Sequence, residues 1–105
     1  MGMAATKIYC VCEDTESQKK FVKQFNGYKL DKTTHVFKNE EAIEIVDAPS
    51  GLLIARYNTK NMSEAIRQFN ADSSIKTKLE IAKNKASYAE ACQTLKSLII
   101  EYNQK

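Results

Sequence analysis

The sequence predicts a single small α+β domain, in which a mostly antiparallel, four-stranded sheet packs against helices on one face. Three observations carry this prediction: a β-hairpin pattern over 42–57, helix-capping patterns ahead of apolar stripes, and a last stretch over 75–102 that contains no Gly or Pro. The predicted element order is β-α-β-β-β-α-α, ending in a long helix. At 105 residues the chain is long enough for one core of this kind.

The strand pattern begins at residues 7–12, which combine β-branched, aromatic and Cys side chains and are apolar on both faces. This composition favours a central strand. Residues 33–38 predict a second strand, and 28–30 either a short strand or an extended lead-in to it. The middle of the chain is therefore predicted to be an antiparallel meander that runs into the hairpin.

A first helix is predicted between these strands, because Thr15 and Gln18 have the spacing of a capping box. Asn26-Gly27 is typical of a helix C-terminus. One face of this helix would carry the apolar residues Phe21, Val22 and Phe25.

The central hairpin has residues 42–46 and 52–57 as its arms. The first arm is rich in β-branched residues, and the second is the most apolar run in the chain. Between the arms, Pro49 presets one corner of a turn, and Gly51 supplies the backbone freedom that reverses the chain. Because the second arm is apolar on both faces, we expect it to be an interior strand.

The remainder of the chain is predicted to be helical. Asn61 and Glu64 form a second capping-box pattern ahead of an apolar stripe, and Asp72 or Ser73 can cap again. Over 75–102 the apolar stripe moves by about 140° at the 100° per residue of a helix. A continuous helix that contacts different neighbours along its length fits this shift, as do two helices broken near 84–87. The absence of Gly and Pro favours the continuous helix.

Composition narrows the class of protein. The chain is 43% hydrophobic and 28% charged, as ordinary globular proteins are. Its apolar runs fall far short of the roughly 18 residues that cross a membrane, and no secretory pattern opens it. Three Cys residues form no disulfide framework, which favours a cytoplasmic location. Residues 1–6 are expected to be disordered or vector-derived, with the domain spanning 7–105.

Cysteine and histidine are the residues from which chemistry would come. Cys10 and Cys12 lie one residue apart on the first strand, and with Cys92 and His35 they supply the number of ligands of a zinc site. Their spacing is not that of a zinc motif, so we expect buried core thiols. A thiol-dependent enzyme using His35 as its base is the third function considered. The three glycines form no phosphate loop, and the sequence predicts no cofactor, metal or catalytic set.

The leading functional prediction is a non-enzymatic interaction or regulatory module that binds a protein partner, as an inhibitor or by self-association. It depends on the last helix, where apolar residues surround more of the helix than one sheet face can cover. The residues predicted to bind the partner are Leu98, Ile100 and Tyr102.

The alternative prediction is nucleic-acid binding, because the chain carries a net charge of +3 and its lysines concentrate on the predicted first and last helices. The other interpretation is that these lysines are ordinary solvent-exposed surface residues. The residues concerned are Lys19, Lys20, Lys23, Lys76 and Lys83.

Overall fold

The computed structural model describes residues 3–104, which form a five-stranded antiparallel sheet followed by three helices. The α+β class is confirmed, and the sheet has five strands instead of the predicted four. Each strand pairs with the next along the chain. The strands are β1 (Ala5–Glu13), β2 (Lys20–Lys29), β3 (Thr34–Asn39), β4 (Ala42–Asp47) and β5 (Leu53–Tyr57). The helices are α1 (Met62–Ala71), α2 (Ser73–Lys83) and α3 (Ala86–Asn103).

The predicted first helix is wrong, because that segment is strand β2. A turn stabilised by Asp14 replaces the capping box: its carboxylate accepts hydrogen bonds from the backbone N–H of Glu16 at 2.8 Å and of Ser17 at 3.2 Å. Those two N–H groups hold the pKa of Asp14 below its usual range. Gln18 adopts a φ of 58°, and the chain reverses so that β2 pairs along the whole length of β1.

The N-terminal assignment also changes, since β1 begins at Ala5 and includes Thr6, inside the segment 1–6 expected to be disordered. The part of that expectation that concerns Met1 and Gly2 lies outside the described residues.

The predicted hairpin is confirmed as β4 and β5, but its second arm does not have the expected interior place in the sheet. All six residues of β4 are buried, whereas β5 lies at the edge of the sheet and has no buried residue. The prediction of an interior second arm is therefore wrong. An apolar run predicts burial, but only a neighbouring strand on each side makes a strand interior.

The sheet curls so far that β1 reaches the β4–β5 turn. The backbone N–H of Val11 donates to the carbonyl of Gly51 at 2.8 Å. In a flat sheet β1 and β4 would lie about 14 Å apart, because neighbouring strands are spaced about 4.8 Å. The curl encloses a cluster of buried strand residues, in which the rings of Phe25 and Phe37 stack with their centroids 4.2 Å apart. The buried members of this cluster are Ile8, Cys10, Phe37 and Val46.

The opposite face of the sheet is covered by helices. Ala65 and Phe69 of α1 pack on Val36, Ile43 and Ile45. Towards the other end of the sheet, α3 packs over β1 and β2, and the ring of Tyr102 meets that of Tyr9 edge-on.

The helix boundaries are set by capping side chains. Asn61 accepts a hydrogen bond from the backbone N–H of Glu64 at 3.0 Å, as the capping pattern predicts. Asp72 ends α1 and at the same time caps α2 through the N–H groups of Ser74 and Ile75. The continuous last helix is wrong, because the chain breaks at Asn84 and Lys85.

Candidate functional site

A groove between the start of β5 and helix α2 is lined mainly by apolar side chains. Its volume is about 360 Å³, within the range of sites that hold a small ligand or a few side chains of a partner. One wall is the chain segment Leu52, Leu53 and Ile54. The other wall is one side of α2, formed by Ile75, Lys78, Leu79 and Ala82.

The strand wall exposes the edge of the sheet as well as its side chains. Leu52, Leu53 and Ile54 are consecutive, and successive side chains in an extended chain point in opposite directions. Leu52 directly precedes β5, and Leu53 and Ile54 begin it, so the groove lies beside the start of the edge strand. Leu52 and Leu53 are 43% and 50% exposed, so this wall presents large apolar side chains to solvent.

The helical wall is mainly apolar and only partly covered: Ile75 packs against the core, and Leu79 is half-buried. Ile75, Lys78, Leu79 and Ala82 follow the i, i+3, i+4, i+7 spacing of a single helix face. Such a face normally packs into a core, yet no residue of α2 is buried. The chain therefore presents a helix face for which its own fold supplies no complete cover.

Asp47 lies at the end of the groove and is 1% exposed. Its Oδ2 accepts hydrogen bonds from the hydroxyls of Ser50 and Tyr88, both at 2.7 Å. Its Oδ1 has no hydrogen-bond partner among the described residues, and the nearest cation is Lys83 Nζ at 3.6 Å. Burial, followed by the bond to this carboxylate, raises the pKa of Tyr88 well above its usual range.

The Asp47 cluster is the junction of the fold. The backbone of Asp47 bonds Gly51 and Leu52 across the turn, and Gly51 accepts the N–H of Val11 of β1. Gly51 has a φ of +70°, and a Cβ added there would collide with Leu95 of α3. Tyr88 and Lys83 then tie the start of α3 and the end of α2 to the same carboxylate. Ser50 is fully buried, and its hydroxyl is held by its hydrogen bond to Asp47.

The residues predicted to bind a partner lie at the far end of α3. Leu98 and Tyr102 line a small cleft of about 150 Å³ against Phe21 and Val22 of β2. Ile100 points away from this contact and is 58% exposed. The structure therefore uses Leu98 and Tyr102 partly within the chain and leaves Ile100 on the surface.

The lysines of the nucleic-acid alternative fall into two sets. Lys19 precedes β2, and Lys20 and Lys23 lie on opposite faces of that strand instead of on the predicted first helix. Lys76 and Lys83 lie on α2 and already have partners: Lys76 donates to the carbonyl of Asn70, and Lys83 faces Asp47.

The thiols and the histidine show no activated pair. Burial, the neighbouring Cys12 and the carboxylate of Glu44 raise the pKa of Cys10 to about 12, which keeps this thiol protonated. Burial and Lys29 lower the pKa of His35. Within residues 3–104, neither Cys10 nor Cys12 bonds to His35, and no set of three or more candidate ligands converges on a metal position.

No family model matches this chain, and neither the curated proteins nor the solved structures contain a match to it. Among residues 3–104, no helix combines the length and the apolar character needed to cross a membrane.

Sequence reasoning did not locate the groove, although one signal of it was present. The stripe of Ile75, Leu79 and Ala82 is visible in the sequence as one side of a helix. What could not be read is that α2 lies beside an edge strand, because the edge position follows from the pairing of all five strands.

Proposed function

We propose that the protein is a small non-enzymatic interaction module that binds an apolar segment of a protein partner in the groove between β5 and α2. The observation that supports this most is the pair of unfilled walls: the exposed Leu52 and Leu53 on one side, and the incompletely covered stripe of α2 on the other. Contiguous exposed apolar surface of this kind marks interaction sites in globular proteins.

The groove is suited to a peptide segment more than to a reacting substrate. Its lining is mainly aliphatic, and its one buried carboxylate, Asp47, is engaged by Ser50, Tyr88 and Lys83. Removing aliphatic side chains of a partner from water at this surface would contribute about 25 cal/mol for each Å² buried. Three free thiols, Cys10, Cys12 and Cys92, fit a reducing compartment, and we place this interaction in the cytoplasm.

The test is site-specific photo-crosslinking in the native host, with the reactive side chain placed at Leu53 or at Ile100. We expect a crosslinked protein partner from position 53, because this position lines the groove. The variant Leu79→Arg, which puts a charge on the opposite wall, should remove that product. We expect this variant to fold, because Leu79 is only half-buried, and circular dichroism checks that it does.

Ile100→Arg is the matched control, because Ile100 is exposed and lies outside the groove. It should leave the crosslink at position 53 intact. If the products form at position 100 and survive Leu79→Arg, the partner surface is the end of α3 and the groove is not the site.

A further inference from the structure

We infer, on the basis of the proposed function, that the groove takes an extended partner segment with alternating apolar and acidic side chains, which adds to the edge of β5 as a sixth strand. The inference specifies both the backbone mode of recognition and the charge of the partner. It rests on three features of the groove. The edge of β5 is free, an added strand would have helix α2 on one face and solvent on the other, and the lysine in the lining has no ion-pair partner among the described residues.

The outer edge of β5 is free to pair. The order of the sheet ends at β5, and Ile54, Ala55 and Arg56 form no backbone hydrogen bond outside the sheet among the described residues. An unpaired edge presents N–H and C=O groups to which an extended peptide adds, as in known cases of strand addition.

This edge lacks two of the usual protections, and its pairing with β4 has a register irregularity between Ile45 and Val46. Natural edge strands are blocked by proline, by lysine or by charges that point along the edge. The sequence of β5, Leu-Ile-Ala-Arg-Tyr, contains neither Pro nor Lys. Its one charged side chain, Arg56, is directed at the buried Glu44 of the neighbouring strand at 3.5 Å. The first residue, Leu53, is half exposed and apolar, so it favours contact with a partner.

The helix beside the edge explains why an alternating pattern is expected. Side chains on one face of an added strand would meet Ile75, Leu79 and Ala82, and those on the other face would point to solvent. An apolar residue at every second position therefore fills the groove. A helical partner would instead need a wide apolar trough and would leave the edge of β5 unpaired.

The charges around the groove favour acidic residues at the remaining positions. Lys78 is exposed in the lining and forms no ion pair within the described part of the chain. Residues 72–85 carry four lysines against the two carboxylates of Asp72 and Glu80, and one of these lysines, Lys83, pairs with Asp47. The four lysines are Lys76, Lys78, Lys83 and Lys85. A carboxylate next to the apolar positions would pair with Lys78 at the rim of the groove and speed association.

The experiment is selection of a phage-displayed library of random linear peptides on the intact protein, followed by affinity measurements with synthetic copies of the enriched peptides. We expect sequences with apolar residues at every second position and acidic residues between them. N-methylation of a single edge-facing amide of such a peptide should weaken binding about tenfold, because it removes one backbone hydrogen bond.

Variants of the protein test the charge and the location. Lys78→Glu should weaken binding of the acidic peptide about fivefold, whereas Lys96→Glu on α3, outside the groove lining, should leave it unchanged. Leu79→Arg should abolish binding of every enriched peptide.

The outcomes separate this inference from the proposed function. The enriched peptides could instead have apolar residues at three- and four-residue spacing and bind equally well after N-methylation. If Leu79→Arg still abolished their binding, strand addition would be overturned and the groove would remain the site. Basic peptides would overturn the charge assignment. Failure to enrich any peptide that depends on Leu79 would overturn both proposals. A dimer in sedimentation equilibrium that is disrupted by Leu79→Arg would show that a second copy, and not a partner segment, fills the groove.

Discussion

Strands β4 and β5 are the two arms of one hairpin, yet the fold treats them in opposite ways. Every residue of β4 is buried, including the charged Glu44 and Asp47. The more apolar sequence of β5 has no buried residue, and Leu53 is half exposed. The difference comes from position: β4 has a strand on each side, whereas β5 has one. Apolar surface that the fold itself does not use is therefore concentrated on the β5 side.

The turn between the arms belongs with β4. Asp47, Ser50 and Gly51 are buried, and they hold β1, α2 and α3 through hydrogen bonds, an ion pair and close packing. In contrast, α2 lies beyond the turn with no buried residue of its own. The molecule thus consists of a rigid, fully packed region and an adjoining lightly packed one, and the second contains the proposed binding groove.

The largest expected effect that separates these regions is on stability. Phe37→Ala should lower the free energy of unfolding by about 4 kcal/mol, because Phe37 is fully buried and stacked on Phe25. Leu79→Ala on α2 should cost about 1 kcal/mol or less, since Leu79 is half-buried and Ala is a good helix former.

Urea denaturation followed by circular dichroism measures both variants, with equal dependence on urea concentration as the check that the unfolding transition is unchanged. Similar losses for Phe37→Ala and Leu79→Ala would mean that α2 is part of the core, and the comparison of the two regions would then be wrong.

A second, smaller effect concerns the turn. Asp47→Ala should lower stability by about 3 kcal/mol, because it leaves the buried hydroxyls of Ser50 and Tyr88 without an acceptor and Lys83 without its counter-charge. Asp47→Asn keeps an acceptor oxygen of the same shape, so about half of that loss is expected. The measurement is the unfolding free energy of the three proteins at neutral pH. If Asp47→Ala were as stable as the native protein, the turn would not belong to the rigid region.

The sequence predicted the parts of the fold that depend on local chemistry. Pro49 and Gly51 marked the turn, Asn61 and Asp72 marked helix starts, and each of these holds in the structure. These signals are legible because one side chain or one backbone angle produces them.

The errors arise where a distant partner decides the structure. The spacing of Phe21, Val22 and Phe25 fits a helix face, but β1 pairs along this whole segment and makes it a strand. Gly27, which resembled a helix end, lies within β2, where an added Cβ would collide with the carbonyl oxygen of Val36 and the side chain of Ile8. Neither neighbour is near Gly27 in sequence, so no local pattern could report the contact.

The candidate site was not predicted from the sequence, because it too depends on contacts between distant segments. The shift of the apolar stripe over 75–102 was readable, and it marks the break at Asn84 and Lys85 that lets Tyr88 reach Asp47. No single segment of the sequence predicts the groove. It forms between α2 and β5 only because the order of the strands places β5 at the edge of the sheet.

A third effect, smaller than that of Asp47→Ala, tests the hydrogen bond by which the turn holds the start of α3. Tyr88→Phe removes one hydrogen bond to a carboxylate that Ser50 still bonds, so we expect a loss of about 1.5 kcal/mol at neutral pH. The pKa of Tyr88 is higher in the folded protein than in the unfolded chain. Above about pH 10 the unfolded chain therefore releases the phenolic proton first, and the stability contributed by Tyr88 falls as the pH rises.

Tyr88→Phe should accordingly lose less stability than the native protein between pH 9 and about pH 11, when unfolding free energies are measured by urea denaturation. Some alkaline loss should remain in the variant, because the pKa values of Tyr57 and Cys10 are also raised by burial. Tyr28→Phe is the matched control, because it removes the same hydroxyl from a tyrosine that is 40% exposed and does not bond Asp47. An unchanged slope in Tyr88→Phe would show that the hydroxyl does not bond Asp47 in solution, and the boundary between the rigid region and the groove would then lie before α3.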